Sequence, residues 1–480
     1  MARGFKPMPP SVRRYLIFLF IVCVTSVVSV VIYFLSERDL LHVRKEQDGE
    51  KHFQERASQH SAFIHKLQQA AALKTDNRTD KLTGSKLLAA LHPGKNDIEE
   101  RKQARADAVV NMQAEEKEAE VESSKDSALN YNVHLFYYPW YGNTETDGRY
   151  VHWNHQYLPH WRKEEMRKWP LGVHVPPDDI GANFYPALGP YSSANPDTVD
   201  KHMAQVQSSG AGVIVVSWYP PGQADENGKP FDSLIPLILD KADKHGVKVA
   251  IHIEPYKNRS GETLKQHVKY VVNTYGKHPG LYRRQVGGRH LPVFYIYDSY
   301  QVDSTSWAQA LKPEGRHSLR GTDYDGIFLG LYLNNEDEHR LLTAGFDGFY
   351  TYFAANGFTR GSSWSNWKAI ADFAEKNNLL FVPSVGPGYV DTRVRPWNAL
   401  TTRKRLQGQY FRQAFQSALD AKVGVVSVTS FNEWHEGTQI EAAVPKTISG
   451  FKYEDYAPRN PDFYLQLLKE YVDQFANQQG

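Results

Sequence analysis

From residue 131 onward, eight short runs rich in β-branched and aromatic residues alternate with eight stretches of amphipathic helical pattern. Strand and helix in strict alternation call for parallel strands joined by crossovers, and a count of eight favours closure into an α/β (β/α)8 TIM barrel over an open doubly wound sheet. The runs cover residues 133–138, 212–218, 247–254, 292–297, 326–331, 348–352, 379–384 and 424–429. Asn195 and Pro196 give a cap and a first-turn proline ahead of Val199, Met203 and Val206 at helical spacing; residues 231–245 end at Gly246, a stop signal. Residues 365–377 and 400–421 show comparable helical periodicity. No glycine fingerprint for a phosphate or dinucleotide follows any run, which further disfavours the open sheet. Residues 142–191 are too many for an ordinary connection and are expected to form an excursion over the barrel mouth.

The residues ahead of the barrel read differently. Residues 15–35 form an uncharged apolar stretch long enough to cross a bilayer as a helix, preceded by Arg3, Lys6, Arg13 and Arg14. A full-length run followed directly by Glu37, Arg38 and Asp39 lacks a cleavage signal and reads as a retained anchor. Residues 36–130 are rich in Lys, Glu, Gln, Asp and Ala and read as a solvated stem, disordered or helical in part. The expected organisation is therefore a cytosolic tail (1–14), a transmembrane signal anchor (15–35), a lumenal stem (36–130) and a catalytic barrel (131–480). That plan suits a single-pass type II protein of the Golgi membrane. Asn77 opens a glycosylation sequon in the stem and Asn258 opens another in the barrel.

Composition removes several function classes. Lys and Arg number 56 against 54 Asp and Glu, so a net charge of +2 leaves no electrostatic footprint for nucleic acid. One cysteine, Cys23, excludes an intramolecular disulfide and a thiolate zinc cluster. All but eight of the 10 Trp, 28 Tyr and 23 Phe lie from Tyr131 onward. In a barrel of this kind the active site lies at the C-terminal strand ends, where the runs place Tyr137, Tyr138, Trp140, Trp218, Tyr219, Glu254, Tyr256, Tyr297, Asp298, Tyr350, Tyr352, Glu433, Trp434, His435 and Glu436. Sugar faces stack on aromatic rings while carboxylates and amides take their hydroxyls, so this mouth suits a carbohydrate.

Alternation in 247–254 turns Ala250, His252 and Glu254 inward, with His252 read as a hydrogen-bonded core histidine. The densest polar cluster, SFNEWHEGTQIE from Ser430, holds Asn432, Glu433, Trp434, His435 and Glu436. Glycoside cleavage needs a proton donor for the departing oxygen and a second carboxylate at the anomeric side, and adjacent carboxylates raise each other's proton affinity. Ser430 and Asn432 are also good helix caps, so first-turn acids on a helix remain an alternative reading of the same cluster.

These stretches resemble glycoside hydrolase family 99. FYYPWYGN from Phe136, YVHWNH from Tyr150, PPDDIGANFYPALGPYSS from Pro176, SWYPPG from Ser217, HIEPY from His252, FYIYDSY from Phe294, FDGFYTYFAANGF from Phe346, PSVGPGYVDT from Pro383 and SFNEWHEGTQIE carry the similarity. The resemblance implies a retaining endo-α-1,2-mannosidase that cuts glucosylated high-mannose N-glycans and releases a glucose-capped mannose fragment through a 1,2-anhydro sugar. It makes Glu433 the base that deprotonates the sugar 2-hydroxyl and Glu436 the acid/base. It assigns Glu254 and Tyr219 to the sugar subsites. Trp218, Tyr138, Tyr297, Tyr352, Trp434, His435 and Asn432 are the further substrate-binding candidates. No metal or other cofactor is implied, and His152 and His155 are expected to bind substrate or to pack. Two alternatives stay open: a glycan-binding relative with weak or no turnover, and an ordinary retaining glycosidase with Glu254 as nucleophile and Glu433 as acid.

Overall fold

The computed structural model describes residues 129–225, 227–228 and 230–479. Each of the eight apolar runs forms a strand: β1 Asn130–Tyr137, β2 Ala211–Trp218, β3 Lys248–Ile253, β4 Arg289–Ile296, β5 Ile327–Leu331, β6 Gly348–Tyr350, β7 Leu380–Val382 resuming as Ser384–Val385, and β8 Val426–Val428. Neighbours follow chain order, every pair is parallel, and β8 returns to β1. The two free ends of this path are the halves of β7, parted only by Pro383, so the ring closes through that residue. Proline has no N–H for the ladder, which breaks the pairing there, while its carbonyl still accepts from Ser427 N at 3.0 Å. The result is a parallel, nearly closed α/β barrel.

Eight helices follow the strands: α1 Pro196–Ser208, α2 Ile235–Lys244, α3 Gly261–Tyr275, α4 Ser304–Leu311, α5 Glu336–Ala344, α6 Trp367–Lys376, α7 Gln409–Asp420 and α8 Phe463–Gln479. The Asn195 side chain caps α1, accepting from Asp197 N at 2.9 Å and Thr198 N at 3.3 Å, and Gly246 stops α2 in the left-handed region at φ 72°. Two expected helices begin late. Residues 232–234 form a 3-10 turn before α2, and the stretch from residue 400 becomes regular α-helix only at Gln409, because Leu406 and Gln407 turn left-handed at φ 48° and 51°. One strand was not expected: Arg283–Val286 pairs antiparallel with β4 through a Gly287–Gly288 turn, both glycines at positive φ, the backbone a two-residue hairpin demands.

Alternation sorts the side chains. Phe136, His252, Tyr295 and Tyr350 meet inside the ring, where His252 Nε2 bonds the Tyr350 hydroxyl at 2.8 Å. His252 is thus a hydrogen-bonded core residue. The excursion 142–191 folds over the strand ends: Trp153 is fully buried with its Nε1 donating to Tyr191 O at 2.7 Å, and Gly181 O receives the His435 Nδ1–H at 2.7 Å.

Among the described residues no helix is long and apolar enough to cross a membrane. The apolar run 15–35, the stem as far as residue 128 and the Asn77 sequon lie outside the described residues.

Candidate active site

Beyond β8 the chain does not enter a helix. Residues 430–441 form a compact loop whose backbone folds on itself: Glu433 N donates to Ser430 Oγ at 2.7 Å, His435 N to Glu433 Oε1 at 3.1 Å, and Ser430 N to Thr438 O at 2.9 Å. The first-turn-acid reading of this cluster therefore fails. Asn432 fixes the loop against the end of β1, its Oδ1 accepting from Tyr138 N at 2.7 Å and its Nδ2 donating to Tyr138 O at 2.9 Å. Glu433 is 4% exposed and Glu436, as a side chain, 21%.

The two carboxyls reach one group of phenols. Burial holds the hydroxyls of Tyr138, Tyr297 and Tyr352 well above the normal tyrosine pKa, and nearby carboxylate charge adds to the effect. Glu433 acts so on Tyr138, Glu436 on Tyr297, and both on Tyr352. Coulombic influence of this kind decays with distance, so both acids lie within electrostatic reach of the Tyr352 hydroxyl, which is itself hydrogen-bonded to the Tyr138 hydroxyl. Tyr352 sits at φ 55°, a conformation costly for a bulky side chain and concentrated at functional sites.

Glu436 meets a second loop, from the end of β7. Its Oε1 lies 3.4 Å from Arg395 Nη1, and its carbonyl accepts from Val390 N at 2.8 Å. Arg395 is held by Asp391, whose Oδ2 also accepts from the Tyr389 hydroxyl at 2.9 Å and Asn398 Nδ2 at 2.9 Å. Burial raises the Glu436 carboxyl above the usual range; Arg395 pulls it back and the Asp391 charge pushes it up again. That balance suits a carboxylic acid that keeps its proton closer to neutrality.

Glu254, 7% exposed, stands across the mouth at the end of β3, accepting from Ser217 Oγ at 2.8 Å. Its charge adds to that of Glu433 at Tyr138 and of Glu436 at Tyr297, so all three acids act on one cluster of buried phenols. Tyr219, half-buried, lies at the exit of β2 with its ring edge-on to Phe231. His435 is kept neutral by burial and by the neighbouring His155 and His152; since Nδ1–H donates to a carbonyl, Nε2 carries the lone pair.

Several expected contacts fall elsewhere. Trp218 and Tyr137 sit next to inward-facing residues and therefore point outward. Trp218 is fully buried against α3, its Nε1 donating to Asp232 Oδ1 at 2.7 Å, and the Tyr137 hydroxyl bonds His202 Nδ1 at 2.9 Å. Trp434 is fully buried below the loop, bonded to Glu441 Oε2 at 3.0 Å, and Asn432 clamps the loop from beneath. Trp218, Trp434 and Asn432 thus support the cavity and do not line it. His152 packs flat on Trp140 at 4.6 Å and bonds Asp225 Oδ2 at 2.6 Å. Asn258 is exposed on the turn before α3. Sequence reasoning did not single out Ser217, Asp391 or Arg395; the first two lie in quoted motifs, but nothing in their spacing marks their role.

Carboxylates gathered among buried aromatic rings, at the C-terminal rim of a parallel α/β barrel, suit a glycoside hydrolase. The chain belongs to glycosyl hydrolase family 99, whose model matches residues 128–477. It is 53% identical over 350 residues to the glycoprotein endo-α-1,2-mannosidase of Xenopus laevis, covering 73% of this chain and 78% of that relative. It is 50% identical over 348 residues to the glycoprotein endo-α-1,2-mannosidase-like protein of Homo sapiens, covering 72% and 76%. The solved family 99 endo-α-mannosidase of Bacteroides thetaiotaomicron superimposes with a TM-score of 0.67 at 42% identity, covering 73% of this chain and 99% of that one.

Proposed function

We propose that this protein is a retaining endo-α-1,2-mannosidase that trims glucosylated high-mannose N-glycans and releases a glucose-capped mannose fragment. The observation that carries the reading is that one loop, 430–441, clamped to Tyr138 through Asn432, holds both Glu433 and Glu436 at the C-terminal rim of the barrel, supported by relatives named for this activity. In the proposed route Glu433 takes the proton of the mannose 2-hydroxyl, whose oxygen attacks the anomeric carbon, while Glu436 gives its proton to the departing oxygen. Water then opens the 1,2-anhydro sugar: Glu436 takes the water proton, and O2 recovers its proton from Glu433. Two displacements at one carbon retain configuration. The raised proton affinity of Glu436 favours the acid role, and the reading gives Glu254 and Tyr219 the subsites for the sugar being cut and the one beyond.

Residues 15–35 would hold the enzyme in the Golgi membrane as a type II protein, with 36–130 as stem and the barrel lumenal. Asn77 and the exposed Asn258 are the candidate glycosylation sites. The decisive experiment is a digest of a defined glucosylated high-mannose glycan, with the released fragment weighed: one glucose-capped mannose unit is expected, and a single free sugar or no product would refute the reading. Trapping a covalent sugar on Glu254 would favour the ordinary two-carboxylate route.

Arg395 provides a separate check on the acid. Its charge lowers the Glu436 pKa, so Arg395→Met should raise it further, keep Glu436 protonated to higher pH, and move the alkaline limb of the kcat/KM profile upward. A limb that stays put or moves down would take the acid role from Glu436.

A further inference from the structure

We propose that Trp161 and Trp397 form an aromatic shelf on the rim beside Glu436, where a sugar ring of the retained part of the glycan stacks, beyond the residues at the cleavage point. This rests on the reading that Glu436 protonates the leaving oxygen, because the side of the cleft it occupies is then the side where the leaving oligosaccharide extends.

Trp161 is 68% exposed, whereas Trp153, Trp218, Trp307, Trp367 and Trp434 are fully buried. It is nonetheless held: its ring stacks on His160 with centroids 3.9 Å apart and meets Trp397 edge-on at 4.8 Å. Trp397 Nε1 donates to Leu158 O at 3.0 Å, which locks the two segments together. An exposed ring with little freedom left to lose is a surface prepared for stacking.

The position of the shelf follows from what ties it down. Trp397 lies two residues beyond Arg395, which contacts Glu436. The excursion carrying Trp161 is stapled to the same loop at three points: Leu158 N to Val394 O at 2.8 Å, His174 Nε2 to Arg393 O at 2.7 Å, and Asn183 Nδ2 to Thr392 Oγ1 at 2.9 Å. The shelf and the acid are therefore parts of one rigid rim. Leu171, Val173 and Val175, also exposed on the excursion, are aliphatic and give no flat face to a sugar.

The test compares two substrates on the full chain: a glucosylated high-mannose N-glycan, and a glucosyl-mannoside carrying a small aryl leaving group that ends short of the shelf. Trp161→Ala should raise KM for the glycan about five- to tenfold with kcat little changed, while the aryl substrate keeps its kcat/KM, and Trp161→Phe should restore most of the loss. An unchanged KM for the glycan, or an equal loss on both substrates, overturns the shelf. Retained glycan KM with lost binding to phosphatidylcholine–phosphatidylserine vesicles would overturn it too, reassigning the patch to a membrane surface. If the unaltered enzyme cuts neither substrate, the functional reading fails first, and with it this proposal.

Discussion

Glu436→Gln is expected to lose at least about 10²-fold in kcat on a natural glycan, the usual scale for removing a general acid. The amide keeps the size of the side chain and its place beside Arg395 but has no proton to give. On an aryl glycoside whose leaving group departs unprotonated, the first step should recover and the deficit should shrink. Glu433→Gln should fall at least as far with the natural glycan and gain nothing from the better leaving group, since its proposed task is to activate the 2-hydroxyl. Near-normal turnover by either variant, or the same rescue for both, would undo the division of roles.

Arg405→Ala should be strongly destabilising, at about 3–5 kcal/mol. The Arg405 guanidinium lies over the rings of Phe184, Tyr456 and Tyr464, with its carbon 4.4 Å, 5.1 Å and 4.6 Å from their centroids. From there Nη2 donates to Gly437 O at 2.9 Å and Gln439 O at 2.7 Å, inside the 430–441 loop. Truncation leaves the Gly437 carbonyl without its donor, leaves Gln439 O with only the Tyr456 hydroxyl at 3.3 Å, and opens a hole among three aromatic rings, and each of those losses costs of order 1–3 kcal/mol. Urea unfolding measures this directly through the midpoint. A shift below about 1 kcal/mol would mean that the loop is held by its own backbone bonds and not from behind.

The barrel was legible because its signal repeats: each of the eight apolar runs formed a strand and the four helical stretches bounded in the sequence formed helices, with shifted ends and one strand missed. Those errors have local causes. Left-handed Leu406 and Gln407 delay α7, and the Gly287–Gly288 turn creates a hairpin that no apolar run announced. The site was legible to the level of its loops and no finer. Residues neighbouring in sequence were expected together in the mouth, yet along a strand they cannot share a face, so Trp218 and Tyr137 turn outward while Glu254 and Tyr138 turn in. The 430–441 stretch was recognisable as polar, but whether a given side chain lines the cavity or braces it depends on folding of the loop, and Trp434 and Asn432 brace it. Arg395 and Asp391 stayed hidden because their part is set by contacts across the fold with Glu436, some 40 residues on.

The Asn432 clamp joins the tail of the first strand to the loop after the last, so Glu433 and Glu436 take their places only where the two ends of the ring have been sewn together. Hydrolysis is then a gauge of that seam. Mild denaturation should extinguish turnover while most helical signal survives, and any fragment that stops before residue 441 should be silent however well its helices form.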